Sequence, residues 1–408
     1  MRDNPNMERL PRQYDLDWLR VFVILFVFMF HVGIIFSVDD LGVHSDWRNG
    51  TLGQLLFFTS FLRMPVLFFI AGAGTWFLFR RRDVQQFFSE RVRRLLIPFI
   101  SALILIVPAM SYIGYRFQAE QAGERIPGFG EVFVQLITAM PHEWMHLWFI
   151  AYLLLFSLLA APLFQYLKTE RGQALLNRVL CALDWRWGVL LFAVPMILIE
   201  WSMQWRFVGD VPLVNDWADF TLYFYLFICG FILVGDPRFW EQVQRLLPVS
   251  IIATAGLFVT LPIARQHVDL TQSFPTHWDY SLIQVGMGLI GWTSLLAAVG
   301  LTRRFLSFEN AALRYARDAS YPFYLLHMLP LWAVAYVVVS LSMPYPIEFV
   351  LITGVSFVLT LAIYEVLVRR HPSTRFAFGL KPVSQDSHPA RTPQDLVASR
   401  AGRHGSSG

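Results

Sequence analysis

Arg20 and His31 stand out for their chemistry, in Asp17-Trp-Leu-Arg20 followed eleven positions later by His31. On a helix that interval turns the chain by about three full turns plus about 20° and spans about 16 Å. Both side chains therefore project from nearly the same face. A guanidinium at one mouth and an imidazole deeper along that face suit a tunnel for an anionic donor with a reactive end. An imidazole serves well as a general base, because its ordinary pKa lies near neutrality. The plainer alternatives are an arginine snorkelling to headgroups and a histidine making a helix–helix hydrogen bond.

Other ionisable residues extend the list. Arg63 lies mid-way along an apolar run, in Phe61-Leu-Arg-Met-Pro65, and it needs a partner or water because guanidinium does not deprotonate. Pro65 and Ala71-Gly-Ala-Gly74 break or thin that helix and would let backbone line a cavity, or else pack closely. Arg91, Arg93 and Arg94 precede Leu-Leu-Ile-Pro98; they suit gripping phosphates, and equally suit topology and anionic lipid. His327 falls about two turns into a late apolar run and reads either as a packed histidine or as a site residue. Glu365 sits near the inner end of the last run. His142-Glu143-Trp-Met-His146 fits the H-E-x-x-H zinc pattern, with no obvious third ligand beyond Glu200, Asp216 or His277.

The elements that must hold these residues are membrane helices. Of 408 residues 56% are hydrophobic and 15% charged, against about 45–50% and about 25% in soluble domains. Hydrophobic runs long enough for a ~30 Å hydrocarbon layer occur near 17–37, 52–79, 95–115, 147–167, 187–203, 220–235, 248–264, 280–301, 320–341 and 347–368. With the N-terminus inside, 26 of the 33 Lys and Arg fall on inner segments and 5 on outer ones. That bias predicts an all-α polytopic protein of about ten spans with both termini cytoplasmic. Ionisable groups inside such spans cost about 2.5–3.5 kcal/mol each, which makes function their default explanation. The expected organisation is a polar leader over 1–16 without a cleavable signal, a membrane domain over 17–370, and a cytoplasmic, disordered tail over 371–408. The outer loop near 116–146 carries an amphipathic stretch, Glu131–Met140. Cys181 and Cys229 do not make a disulfide scaffold.

Arg20-x₁₀-His31, Arg63-Met-Pro-Val-Leu-Phe-Phe-Ile-Ala-Gly72, Arg91-x-x-Arg94-Leu-x-x-Pro98, His146-Leu-Trp148-Phe149 and Tyr321-Pro-Phe-Tyr-Leu-Leu-His327 together resemble the acyltransferase 3 family of integral membrane O-acyltransferases. They occur in family order over about residues 15–370. In length and in lacking an appended domain the chain is similar to the branch that succinylates periplasmic glucans. The resemblance implies acyl transfer from a cytoplasmic acyl-CoA to a hydroxyl of a glycan or other extracytoplasmic acceptor, in a bacterial inner membrane. It makes His31 and Arg20 the catalytic candidates, and places Arg63, Arg91, Arg93 and Arg94 at the donor or oxyanion. It leaves His146, Trp148, His327 and Glu200 to an acceptor or supporting site. Ala71 departs from the family's usual serine. Acyl-CoA, a glycan and membrane lipids are the expected partners; no nucleic acid, permanently bound cofactor or metal is expected. Direct attack by the acceptor and a transient acyl-histidine both remain open. A proton-coupled transporter would use similar intramembrane residues, and a zinc protease would use His142, Glu143 and His146.

Overall fold

The computed structural model describes residues 12–38, 42–80, 84–139, 144–204, 206–207, 209, 212–268 and 278–381. Every element there is helical: α1 Tyr14–Ile35, α2 Gly50–Phe79, α3 Gln85–Ala122, α4 Phe129–Ala139, α5 Met145–Tyr166, α6 Glu170–Leu180, α7 Gly188–Met203, α8 Trp217–Leu233, α9 Pro237–Gln266, α10 Trp278–Phe305, α11 Ala311–Leu326, α12 Met328–Val339, α13 Tyr345–Val368 and α14 Pro372–Ala377. Seven of these are individually long and apolar enough to cross a membrane, and α11 with α12 makes an eighth if the bent pair is one span. The shorter apolar helices α7 and α8 carry two more of the hydrophobic runs. The protein is thus a polytopic, all-helical membrane protein.

Starts of helices follow local chemistry. Asn49 Oδ1 accepts from Leu52 N–H at 3.1 Å and Asn310 Oδ1 from Leu313 N–H at 2.8 Å, capping α2 and α11. Asp236 caps α9 ahead of a proline at its first position. Arg238 pairs with the Asp236 carboxyl and holds it below the usual carboxylate range. α10 lies at the centre, with 78% of its most apolar window buried, whereas α9 and α13 bury 22% and stand at the rim. Ile252, Val259, Val350 and Val358 on those rim helices are exposed, as lipid-facing residues should be.

Small residues set the closest crossing. A Cβ on Gly72 of α2 would overlap the carbonyl oxygen of Phe227 on α8, and a Cβ on Gly230 would overlap that of Phe69. Each backbone sits in the notch left by the other's missing side chain, an arrangement favoured where lipid supplies no hydrophobic drive.

Prolines decide where helices break. Pro65 has no N–H for the Phe61 carbonyl four residues back; the Ser294 hydroxyl of α10 donates to it instead, at 2.9 Å. Pro98 likewise leaves the Arg94 carbonyl without its helical donor, and the ladder shifts to a π turn over Val92–Leu96, with Ile97 N–H donating to Val92 O. Pro330 cannot donate to Leu326 O, and α11 and α12 meet there at 60°.

Four features differ from the sequence expectation. The ninth run is a bent pair rather than one straight helix. The inner segment expected over 80–94 is helical from Gln85 and continuous with the third run, so Arg91, Arg93 and Arg94 stand on a helix. The seventh run belongs to a longer helix that begins at Pro237. The first residues of the expected tail fold: α14 is followed by Gly379, which packs against Pro98 and Tyr321. Residues 382–408 lie outside the described residues. The amphipathic stretch after Glu131 coincides with α4.

Replacing Gly230 by leucine should force α2 from α8 and lower the melting temperature in detergent sharply, since even modest overpacking costs about 1–3 kcal/mol. Gly256→Leu, where a side chain meets open space, should melt near wild type in the same scan.

Candidate functional site

Three histidines from three parts of the chain converge. His31 lies near the end of α1, His327 at the break between α11 and α12, and His146 in the first turn of α5, after Met145 turns the backbone through φ 48°. Ring centroids are 5.1 Å apart for His31 and His327, and 5.4 Å for His146 and His327. His327 and His146 are buried, at 1% and 6% exposure; His31 is partly exposed.

The hydrogen bonds fix the tautomers of the neutral rings. His327 Nδ1–H donates to the Tyr324 carbonyl at 2.8 Å, which leaves Nε2 as an acceptor. His31 Nδ1 lies 2.9 Å from the Val27 carbonyl and 3.2 Å from His327 Nε2. Both neighbours only accept, so Nδ1 carries the proton and Nε2 keeps a free lone pair. No described residue bonds to that Nε2. His146 Nε2–H donates to the Leu325 carbonyl at 3.2 Å, while its Nδ1 is buried without a partner. The Tyr324 hydroxyl in turn donates to the His146 carbonyl. The helix break is therefore the organiser: the carbonyls of Tyr324 and Leu325, just before it, orient two of the three rings.

Arg63 stands beside this group. Its guanidinium carbon is 3.2 Å from the centroid of the Phe30 ring, which itself lies 5.1 Å from the His31 ring. Arg63 donates at 3.0 Å to the hydroxyls of Thr59 and Ser60 on its own helix, and among the described residues no carboxylate pairs with it. A cation desolvated over an aromatic face and bound only to hydroxyls keeps its charge available to a ligand.

Trp148 does not join the histidines. It packs against Tyr152 and Tyr223, at 5.5 and 5.8 Å, beside a second polar group. There Tyr152 donates to Asp216, Gln204 donates to Asp219 at 3.1 Å, and Glu200 is 2% exposed with Oε1 unpartnered. His142 and Glu143 of the zinc pattern lie outside the described residues, as does His277. Among the described residues no three His, Cys, Asp or Glu side chains are grouped to hold a metal ion.

At the other ends of these helices, Arg20 pairs with Asp17 at 3.5 Å and leaves its Nε buried without a partner. Arg317 reaches the same carboxylate at 3.8 Å. The three arginines of α3 part company. Arg91 turns inward to donate to Thr75 of α2 at 2.6 Å. Arg94 pairs with Glu90 at 3.0 Å, and Arg93 lies over the Phe376 ring of α14. Glu365 makes an exposed pair with Arg369. Val27, Phe30, Thr59, Ser60 and Tyr324 were not singled out from the sequence. Phe30, as the neighbour of His31, and Tyr324, inside the Tyr321–His327 motif, carried some signal; a backbone carbonyl has none.

The sequence model of the acyltransferase 3 family, described as "Acyltransferase domain", matches residues 13–365. Relatives called "Glucans biosynthesis protein C" from Salmonella paratyphi A, Salmonella agona and Salmonella enteritidis PT4 are each 26% identical over 389 residues, which covers 93% of this chain and 98% of theirs. No solved structure matches.

The free Nε2 of His31 gives a direct test. Diethyl pyrocarbonate at neutral pH should modify His31 in the detergent-solubilised protein and spare the buried His146 and His327, as read by peptide mass spectrometry. Modification of His327 ahead of His31 would contradict the hydrogen-bond pattern.

Proposed function

The chain belongs to the acyltransferase 3 family and is a membrane O-acyltransferase; we propose that it moves an acetyl- or succinyl-class group from cytoplasmic acyl-CoA to a hydroxyl of an extracytoplasmic glycan. The observation that carries this reading is the His31 ring, held through Nδ1–H between Val27 O and His327 Nε2, with Nε2 free to take a proton. Such a contact orients the base, as a partner on the far nitrogen does in other histidine bases. The relatives' name, which refers to glucan biosynthesis, supports the acceptor class.

In the proposed reaction the acceptor hydroxyl gives its proton to His31 Nε2 as its oxygen bonds to the thioester carbonyl carbon. Arg63, over Phe30 and free of carboxylates, faces the negative charge that develops on the carbonyl oxygen or, with a succinyl donor, the distal carboxylate. The C–S bond then breaks, and the imidazolium returns the proton to the departing thiolate. The products are an ester and free CoA. His327 is a positioning residue, and His146 fixes the break that positions His327. Arg20 steers the anionic donor from the inner mouth, and Arg91, Arg93 and Arg94 flank the donor's entry.

This reading takes the bent α11–α12 pair and the short α7 and α8 as crossings, giving ten, within a catalytic domain over about 17–370. Both termini are then cytoplasmic, in a bacterial inner membrane. Two partly buried polar clusters are consistent with that orientation. Asp15 pairs with Arg303 at 2.9 Å at the inner ends of α1 and α10. Glu200, Asp216 and Asp219 gather at the outer ends of α7 and α8, beside Trp148 and Tyr223, where aromatic faces and carboxylates suit sugar CH faces and hydroxyls.

Purified protein given acetyl- or succinyl-CoA, with and without a glucan, should turn the donor over. His31→Ala should lose about 10²–10⁴-fold in kcat, the usual worth of a general base, while Arg20→Ala should act mainly on the donor KM. A His31→Ala protein as active as wild type, at matched melting temperature, would refute the mechanism.

A further inference from the structure

The residues after the family match make an ordered strap. Past α14 the chain turns at Gly379, φ 71°, so that Leu380 N–H donates to Arg375 O at 2.8 Å. The Arg375 guanidinium holds both limbs of the turn, donating to Arg369 O at 2.8 Å and to Lys381 O at 2.7 and 3.1 Å. On its other side the strap touches α3. A Cβ on Gly379 would crowd Pro98 and Tyr321, and would lie 3.2 Å from the Arg94 carbonyl, the one that Pro98 leaves without its helical donor. The Phe376 ring underlies Arg93, 5.7 Å from its guanidinium.

Between strap and α3 lies a cleft of about 260 Å³, lined by Arg93, Arg94, Lys381, Gln86, Ser89 and Glu90 together with the Gly379–Leu380 backbone. Three cations face one carboxylate there, and Glu90 is already paired with Arg94. Polar Gln86 and Ser89 complete a lining that fits phosphate oxygens. Tyr321, in contact with the strap at Gly379, has a buried hydroxyl without a partner. It lies six residues before His327 on α11, about 9 Å along the axis. The strap that walls the cleft thus touches, at Tyr321, the helix that leads to His327.

We propose that this strap walls a subsite for the phosphate-bearing end of the acyl-CoA donor, with Lys381, Arg93 and Arg94 as its cations and the Tyr321 hydroxyl further along the path to His31. The proposal rests on the acyl-CoA reading above and adds to it a segment that the family match does not reach. A lipid phosphate shares the chemistry, so the test must separate the two.

Donor KM would be measured with acetyl-CoA and with acetyl-3′-dephospho-CoA, and binding of adenosine 3′,5′-bisphosphate would be followed by calorimetry, each with and without phosphatidylglycerol. Wild type should prefer acetyl-CoA. Lys381→Ala and Arg375→Ala should each raise its KM about tenfold, the effect of one charge-assisted contact, with a much smaller rise for the dephospho donor and weaker bisphosphate binding. Lys381→Arg should restore the preference. Equal shifts for both donors, or bisphosphate binding unaltered in both variants, would overturn the subsite, as would loss of retained phosphatidylglycerol with an unchanged donor KM. Bisphosphate binding that depends on Lys381 in a protein with no acyl-CoA turnover would uphold the subsite and defeat the acyltransfer reading instead.

Discussion

Within hydrocarbon a backbone carbonyl that loses its helical donor must find another partner or lie where a ligand or water can reach it. Much of this architecture follows from three such carbonyls. Pro65 frees Phe61 O, and Ser294 reaches across from the central helix to satisfy it, tying α2 to α10 two residues before Arg63. Pro98 frees Arg94 O; the helix answers with a π turn, and the C-terminal strap settles against the same carbonyl. Pro330 frees Leu326 O, and the ninth hydrophobic run bends by 60°. The bend turns two neighbouring carbonyls, those of Tyr324 and Leu325, into acceptors for His327 and His146.

The consequences at the site are electrostatic. His327 is locked as a donor toward Tyr324, so it presents only a lone pair to His31. His31 must then carry its proton on Nδ1, and Nε2 is the nitrogen left with a lone pair. Arg63 supplies the complementary charge, held by an aromatic face and two hydroxyls rather than a carboxylate. A carboxylate at that place would pair with the guanidinium and neutralise it. The polar groups around Glu200 keep a different character, with acids bound to tyrosine and amide partners. The two polar regions thus differ in chemistry as well as in charge: arginines gather along α3 and the segment after α14, while acids and aromatic rings gather around Glu200.

Rigid packing makes this placement dependable. The Gly72–Gly230 notch fixes α2 against α8, and hence Arg63 on one side and Tyr223 on the other. The pair between buried Asp15 and half-buried Arg303 fixes the start of α1 against the end of α10. Between those anchors α1 can carry Arg20 and His31 at opposite ends of one face with little freedom to rotate.

The sequence by itself determined the membrane class, the position of all ten hydrophobic runs, the family, and the list of ionisable residues worth attention. These follow from composition, run length and fixed spacings along one helix, which are local quantities. It also placed Arg20 and His31 on one face of α1, because helical pitch is a property of the chain alone. It did not determine that His327 and His146 belong beside His31, since residues nearly 300 positions apart meet only through packing. Neither did it separate Arg91 from Arg93 and Arg94, because the segment expected as a loop is a helix that turns them onto different surfaces. The bend at Pro330 was beyond it as well, because proline permits a kink whose angle the surrounding helices choose. The tautomer of His31 lay furthest from reach: the Val27 carbonyl is local to α1, but the His327 lone pair that also faces Nδ1 is brought within 3.2 Å only by the tertiary structure.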